Sequence, residues 1–192
     1  MRSEIEFQIA ELLRVAHELL GYCNYISNYP TSQNSQNYDP GSKIDQFYKN
    51  VCNSSYRDCI IIVDTLMDKD RRVISFKNWK VFAEKRKEEI DLIFKDFVSS
   101  GLKKVRDEMM AHVSAKNSNN RFPSMRREGI VNQTLIESLQ EILDRLTKEF
   151  FEFTNTKTQT YSKKYFDRSR AIAEIKTVMN LAKPKLTNNF VI

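Results

Sequence analysis

Glycine and proline are scarce in this chain, with four residues of each among 192. Both residue types interrupt helices, so their scarcity, together with apolar residues at helical spacing, predicts an all-helical protein. No run of about 18 apolar residues is present, so the sequence predicts no transmembrane helix. An N-terminus with Glu4, Glu6 and Glu11 does not predict a signal peptide. We therefore expect a single cytoplasmic domain over residues 1–192, with no membrane partner.

Cysteine and histidine are also rare. The three cysteines, Cys23, Cys52 and Cys59, are odd in number and lack metal-ligand spacing, so we interpret them as reduced, buried thiols. No glycine-rich phosphate loop is present, and we expect neither a metal nor a cofactor. The two histidines are His17 and His112. His17 adjoins the apolar stripe of the first predicted helix, and we interpret it as a structural or surface histidine.

Apolar periodicity predicts an antiparallel bundle of five to six helices. The predicted helices cover residues 3–22, 43–67, 75–82 with Ser75 as N-cap, 87–116, 131–153 and 161–182. Gly101 marks a candidate bend within the long helix 87–116. The polar stretch 28–42 predicts a mobile loop, because turn-forming residues cannot bury a core face. Residues 155–192 are expected to form a basic C-terminal helix and tail.

The net charge of +6 lies at the C-terminal end of the chain. Residues 1–154 hold 23 basic and 23 acidic side chains, whereas residues 155–192 hold 8 basic and 2 acidic ones. Such a segment favours contact with an RNA backbone, where neutralised phosphates release counterions. It is equally typical of a solvated helix face. Both interpretations remain open on the sequence alone.

The segment from Lys104 to Ser114, KVRDEMMAHVS, contains the residues from which a function can be predicted. Arg106, Asp107 and His112 occur within seven residues. Arginine is permanently charged and its planar fork fits a phosphate, while histidine exchanges a proton near neutral pH. The spacing alone is a weak motif, since arginine is common in this chain. The combination favours phosphodiester chemistry without a metal.

This segment resembles the HEPN family (higher eukaryotes and prokaryotes nucleotide-binding). The signature of that family is an arginine, usually followed by a polar residue, and then a histidine after four to six residues. Five residues separate Arg106 from His112 here. The helical pattern over most of residues 45–155 is similar to the abortive-infection branch of the family. Glu108 departs from the basic residue often found at that position.

The resemblance implies a metal-independent endoribonuclease whose site forms from two motifs in a homodimer. Helix geometry agrees, because positions six apart differ by about 120° around the axis and about 9 Å along it. A two-fold axis would bring Arg106 of each chain towards His112 of the other. The two copies of His112 would then act as base and acid, Arg106 would clamp the phosphate, and Asp107 would orient Arg106 or His112.

Further substrate contacts are expected from the polar loop that follows the motif, residues 117–129. It contains Arg121, Arg126 and Arg127, which are candidates for binding RNA phosphates. A protein of this kind would be a defence or toxin component, with an antitoxin or a nucleotidyltransferase as a partner.

The main alternative is a non-catalytic helical module that dimerises or binds a protein or nucleotide. Arg106 and Asp107 would then form a salt bridge, and His112 would be stabilised at a helix C-terminus by the macrodipole.

Overall fold

The computed structural model describes residues 3–32, 43–114, 133–155 and 168–181. Six helices occupy most of these residues, and no strand occurs within the same ranges. They are α1 (Glu4–Ser32), α2 (Lys43–Leu66), α3 (Lys80–Ser99), α4 (Leu102–Ser114), α5 (Gln133–Asn155) and α6 (Ser169–Leu181). The predicted all-α bundle of five to six helices is confirmed. None of the described helices has the length and apolarity needed to cross a membrane.

α1 and α2 form an antiparallel pair. Cys23 of α1 contacts Cys52 of α2, and Ala16 contacts Cys59, so residue numbers fall along one helix as they rise along the other. The pair is held by apolar side chains that recur every three or four residues on both helices, which places them on a single buried face. Its fully buried members include Ile9, Leu13, Leu20, Tyr56, Ile60 and Leu66.

α5 packs antiparallel to α3. Arg86 near the start of α3 pairs with Glu149 late in α5, while Asp96 pairs with Arg145 earlier in α5. Aromatic rings fill the space between the segment before α3, α3 itself and α5. They are Phe76, Trp79, Phe82, Phe150 and Phe153, with ring centroids 4.8 to 6.4 Å apart.

α6 runs in the same direction as α1. Arg168, just before α6, contacts His17, and Glu174 contacts Tyr22 further along both segments in the same direction. Gly21 allows this close approach, since an added Cβ would lie 3.2 Å from the side chain of Ala171. The antiparallel arrangement therefore holds for α1 with α2 and for α3 with α5, but not for α1 with α6.

The prediction of one long helix over residues 87–116 is wrong. α3 ends at Ser99 and α4 begins at Leu102, because Gly101 adopts a left-handed backbone conformation with φ +87°. Glycine occupies this region at little cost, whereas a side chain would strain it. The candidate bend at Gly101 is thus a complete break, and the motif lies on a separate, shorter helix.

The start of α3 also differs from the prediction. Ser75 makes the hydrogen bond of an N-cap, since its Oγ accepts from the backbone N–H of Asn78 at 3.3 Å, but only a turn follows at residues 76–78 and no helix begins there. Its hydroxyl donates to the carbonyl of Asp68 at 2.6 Å. α3 begins at Lys80 and contains a kink at Arg86, where φ is −132° and ψ is 16°. The predicted long helix was to start at Lys87, but Lys87 lies inside α3, which has already begun at Lys80.

The prediction of a loop over residues 28–42 is wrong for its first part. α1 continues to Ser32, ten residues beyond the predicted end at Tyr22. Buried Cys23 and Ile26 carry the packing against α2 past Tyr22, and this tertiary contact outweighs the low helix propensity of the polar residues that follow. Residues 33–42 lie outside the described ranges, as do 156–167 and 182–192 of the predicted C-terminal segment.

His17 belongs to the interior of the bundle. Only 4% of the residue is exposed. Its Nδ1 accepts a hydrogen bond from Arg168 Nε at 3.0 Å, and its Nε2 contacts Thr147 Oγ1 at 2.8 Å. The Thr147 hydroxyl donates to the carbonyl of Leu143, so it must accept from the imidazole. This pattern fixes a neutral His17 as a structural residue, as its place beside the apolar stripe indicated.

Burial, with the charge of Arg168, lowers the pKa of His17 to about 3. The unfolded chain takes up a proton near the ordinary pKa of about 6.5, so the folded state should lose stability as the pH falls from 6.5 towards 3. We expect this group alone to remove up to about 4 kcal/mol of unfolding free energy over that interval. Urea unfolding at a series of pH values measures it. In His17→Gln the unfolding free energy should change much less with pH over this interval. An equal pH dependence in both proteins would contradict the assignment of His17 as a buried, neutral residue.

Candidate functional site

α4 places Arg106 at the border between the core and the solvent. Leu102 is fully buried and Val105 packs against the core, which fixes the face that α4 turns inwards. Arg106 follows Val105 directly, so it lies at the edge of that face, with 29% of its side chain exposed. Its guanidinium reaches the C-terminal part of α2.

Asp64, near the C-terminal end of α2, pairs with the guanidinium of Arg106. Its side chain is only 8% exposed, and its Oδ2 lies 2.8 Å from Arg106 Nε, while Lys103 Nζ lies 3.8 Å from Oδ1. The buried Nε–H does not point well at the carboxylate, and no other described group accepts it. The contact between Arg106 and Asp64 is therefore a close ion pair rather than a well-aligned hydrogen bond.

Asp107 holds the other side of the same arginine. Its Oδ1 accepts a hydrogen bond from Arg106 Nη1 at 2.9 Å and one from Lys103 Nζ at 2.8 Å. We call these four residues, Asp64, Lys103, Arg106 and Asp107, the α2–α4 charge cluster. Within the described part of the chain, Nη2 of Arg106 makes no hydrogen bond, so this end of the fork is available to donate to a ligand.

The two carboxylates of the cluster have opposite pKa shifts. Burial raises the pKa of Asp64, and the nearby charges of Lys103 and Arg106 offset this only in part. The pKa of the exposed Asp107 is lowered, chiefly because Lys103 donates a hydrogen bond to it. Ionised Asp64 is thus held in the fold at a cost in stability. A buried charge that does not stabilise the fold is a candidate for a functional role.

All cations in this part of α4 have an anionic partner. Lys104 lies 3.9 Å from Glu108, and Lys103 and Arg106 share Asp64 and Asp107. The formal charges of these six groups sum to zero. A phosphate approaching this surface would therefore meet directed donors from Arg106 but little net attraction, unless positive charge came from elsewhere.

An open depression of about 490 Å³ lies beside the cluster. Its lining residues are Val98, Lys103, Lys104, Asp107 and Glu108. Another depression, of about 450 Å³, lies along α5 and contains none of the predicted site residues. Among the described residues, no group of three or more His, Cys, Asp or Glu side chains is arranged to hold a metal ion.

The structure brings together two of the six predicted site residues. Arg106 and Asp107 contact each other, which both the ribonuclease hypothesis and the non-catalytic alternative expect. His112 belongs to the last turns of α4, but its side chain lies outside the described part. Arg121, Arg126 and Arg127, the predicted phosphate contacts, also lie outside the described residues. Their roles stay predictions.

Asp64 and Lys103 are the members of the cluster that the sequence did not single out. Asp64 gives one signal, since it is the only charged residue from Cys59 to Leu66, a stretch that is otherwise apolar except for Thr65. An acid on the buried face of a helix needs a cationic partner. The partner, however, comes from another helix, and the sequence does not say which one.

Comparison of the chain with models of protein families, with curated proteins and with solved structures finds no match in any of the three. The resemblance to the HEPN family therefore depends on the segment from Arg106 to His112 and on the order of the helices.

The opposite pKa shifts predict opposite effects of neutralising the two aspartates. At pH 7, Asp64→Asn should unfold no more easily than the wild type, because burial disfavours the charge that is removed and because Lys103 and Arg106 both keep Asp107 as a partner. Asp107→Asn should lose roughly a few tenths of a kcal/mol, the usual size for an exposed ion pair. Urea unfolding of both variants at one pH measures the difference. A clear loss of stability in Asp64→Asn, larger than that in Asp107→Asn, would show that the carboxylate is retained for stability.

Proposed function

We propose that this chain is a metal-independent endoribonuclease of HEPN type. The observation that carries the proposal is the placement of Arg106, which is gripped on two sides by Asp64 and Asp107 while its Nη2 stays open. An arginine fixed in this way loses little side-chain freedom when its Nη2 donates to a phosphate oxygen. It precedes His112 by six residues on the same short helix.

The proposed reaction is attack of a ribose 2′-OH on the adjacent phosphorus. His112 of one copy takes the proton of the 2′-OH, and His112 of the second copy protonates the departing 5′-oxygen. Arg106 donates to the phosphate oxygens as the phosphorus becomes five-coordinate. Asp64 and Asp107 act through Arg106 by holding its guanidinium plane. The products carry a 2′,3′-cyclic phosphate and a 5′-OH.

A homodimer is part of the proposal for a geometric reason. The Cα positions of Arg106 and His112 on one helix point about 120° apart, so a single copy does not aim both at one phosphate. The cluster is also formally neutral, and attraction for RNA needs further cations. Residues 115–132, which follow α4 directly, carry a net charge of +3 and include Arg121, Arg126 and Arg127. Two copies would contribute two such segments.

Its biological setting follows from the resemblance alone. We propose a cytoplasmic toxin or defence component that cleaves RNA and is restrained by an antitoxin or nucleotidyltransferase partner.

The first test is cleavage of total RNA by the purified chain in EDTA. Wild type should cut RNA and leave DNA intact, since DNA lacks the 2′-OH. His112→Ala should lose about 10² to 10⁴ of the rate because it lacks the acid and base. Arg106→Ala should lose at least about 10², and Arg106→Lys should recover only a little because a lysine has no fork. Sequencing of fragment ends checks the cyclic phosphate.

The matched control is Arg14→Ala. Arg14 on α1 is as exposed as Arg106, at 32% against 29%, and it also pairs with two carboxylates, Glu11 and Glu18. Its loss should leave cleavage unchanged. Cleavage that EDTA abolishes and added metal restores, or equal rates in wild type and His112→Ala, would contradict the mechanism.

A mixing experiment tests the composite site. Increasing amounts of His112→Ala are added to a fixed amount of wild type, with RNA in large excess. A mixed dimer would contain one His112 instead of two. As mixed dimers replace wild-type homodimers, the activity should fall well below that of the same amount of wild type alone. If each chain contained a whole site, the activity would depend only on the amount of wild type and would not change.

One observation favours the alternative of a non-catalytic helical module. Every described cation from Lys103 to Arg106 is neutralised by a carboxylate, as in an ordinary salt-bridge network. On this alternative a folded, dimeric wild type would not cleave RNA in the assay above, and His112→Ala would change dimerisation or partner binding instead.

A further inference from the structure

Two cysteines from different helices meet inside the bundle. Cys23 of α1 and Cys52 of α2 have their sulfur atoms 3.2 Å apart. This is only about 1.1 Å longer than a disulfide bond. Both residues are buried, with 0% and 6% of their surface exposed, and all three cysteines of the chain are free. The packing of α1 on α2 thus brings together two thiols that are 29 residues apart in the sequence.

The hydrogen bonds around the pair give the two thiols different roles. Cys52 Sγ donates to the carbonyl of Cys23 at 3.7 Å, and the Cys23 thiol is then directed at the sulfur of Cys52. If Cys52 loses its proton, the Cys23 thiol can stabilise the thiolate, which lowers the pKa of Cys52. Cys59 is engaged elsewhere, since its thiol donates to the carbonyl of Ala16 at 3.4 Å.

We propose that Cys23 and Cys52 form a redox-active pair that closes to a disulfide between α1 and α2 when the chain meets a hydroperoxide. The Cys52 thiolate attacks one oxygen of hydrogen peroxide and the O–O bond breaks, which leaves a sulfenic acid on Cys52. The departing hydroxide takes up the proton that Cys52 has released and leaves as water. The sulfur of Cys23 then attacks the sulfur of Cys52, the S–O bond breaks, and the proton of Cys23 leaves with the hydroxyl group as a second water. Two thiols are oxidised and one hydrogen peroxide is reduced to two waters.

Tyr56 provides a further polar group near this reaction. Its hydroxyl is fully buried and has no hydrogen-bond partner among the described residues. Burial, with the influence of the Cys23 and Cys59 thiols, raises its pKa, so the hydroxyl stays protonated and available as a donor. It could donate to the oxygen of a sulfenic acid at Cys52, one helical turn before Tyr56 on α2. Tyr56 thus adds a buried hydroxyl without a partner among the described residues, one helical turn from Cys52.

The test is oxidation of the folded, full-length chain with hydrogen peroxide, followed by alkylation and peptide mapping. We expect a linked peptide that contains Cys23 and Cys52, with a mass two hydrogens below the sum of the two reduced peptides. Cys59 should be alkylated. The linkage closes a loop across the α1–α2 connection, so the melting temperature should rise by about 5 °C or more and fall back with a dithiol reductant.

Variants separate this pair from other pairings. Cys23→Ser and Cys52→Ser should each abolish the linkage and the rise in melting temperature, whereas Cys59→Ser should keep both. Circular dichroism verifies that each variant is folded, and the wild-type peptide map decides the question even if one of them is not. A linkage that includes Cys59, a linkage between two chains, or three alkylated cysteines after peroxide treatment would overturn the proposal.

Discussion

The antiparallel packing of α1 on α2 is the interaction on which the other features depend. It buries a continuous row of apolar side chains from both helices, which supplies much of the free energy of the fold. It also fixes α2 along its whole length, including the carboxylate of Asp64 near its C-terminal end. Because the packing of α2 sets the position of Asp64, it also sets the position of Arg106, which pairs with Asp64. The geometry of the candidate site is therefore set by a contact between helices that contain none of the motif residues.

Two arginines in this structure show how the same side chain can serve the fold or remain available to a ligand. Arg168 is directed inwards, where His17 and Asp144 receive its Nε and Nη2. Arg106 is held by Asp64 and Asp107 through Nε and Nη1 and keeps Nη2 open in the described structure. Arg168 thus links the buried His17 to the half-exposed Asp144, whereas Arg106 is held by two carboxylates and is incompletely satisfied. Rigid, incompletely satisfied donors are what a phosphate site requires.

The sequence predicted the fold class and most helices because apolar periodicity is a local property. It located α2 within one residue of its observed ends. It failed where a single residue or a distant contact decides the structure. The break at Gly101 depends on one backbone angle, and the extension of α1 depends on packing against α2. The motif pair Arg106 and Asp107 was found from local sequence, but Asp64 contacts Arg106 across 42 positions, and no periodicity indicates which acid an arginine will meet.

The conformation of Gly101 determines the direction of α4 relative to α3. A Cβ at this position would meet no atom within 4 Å, so space does not exclude other residues; the positive φ disfavours them. The approach of Arg106 to Asp64 is therefore encoded five residues upstream, by a residue that contributes no atom to the site. An arginine and a histidine at suitable spacing occur by chance in many helices. True relatives of this chain should be distinguishable by a glycine, or less often an asparagine, at the same distance before the arginine, together with a lone acid near the end of an aliphatic helix.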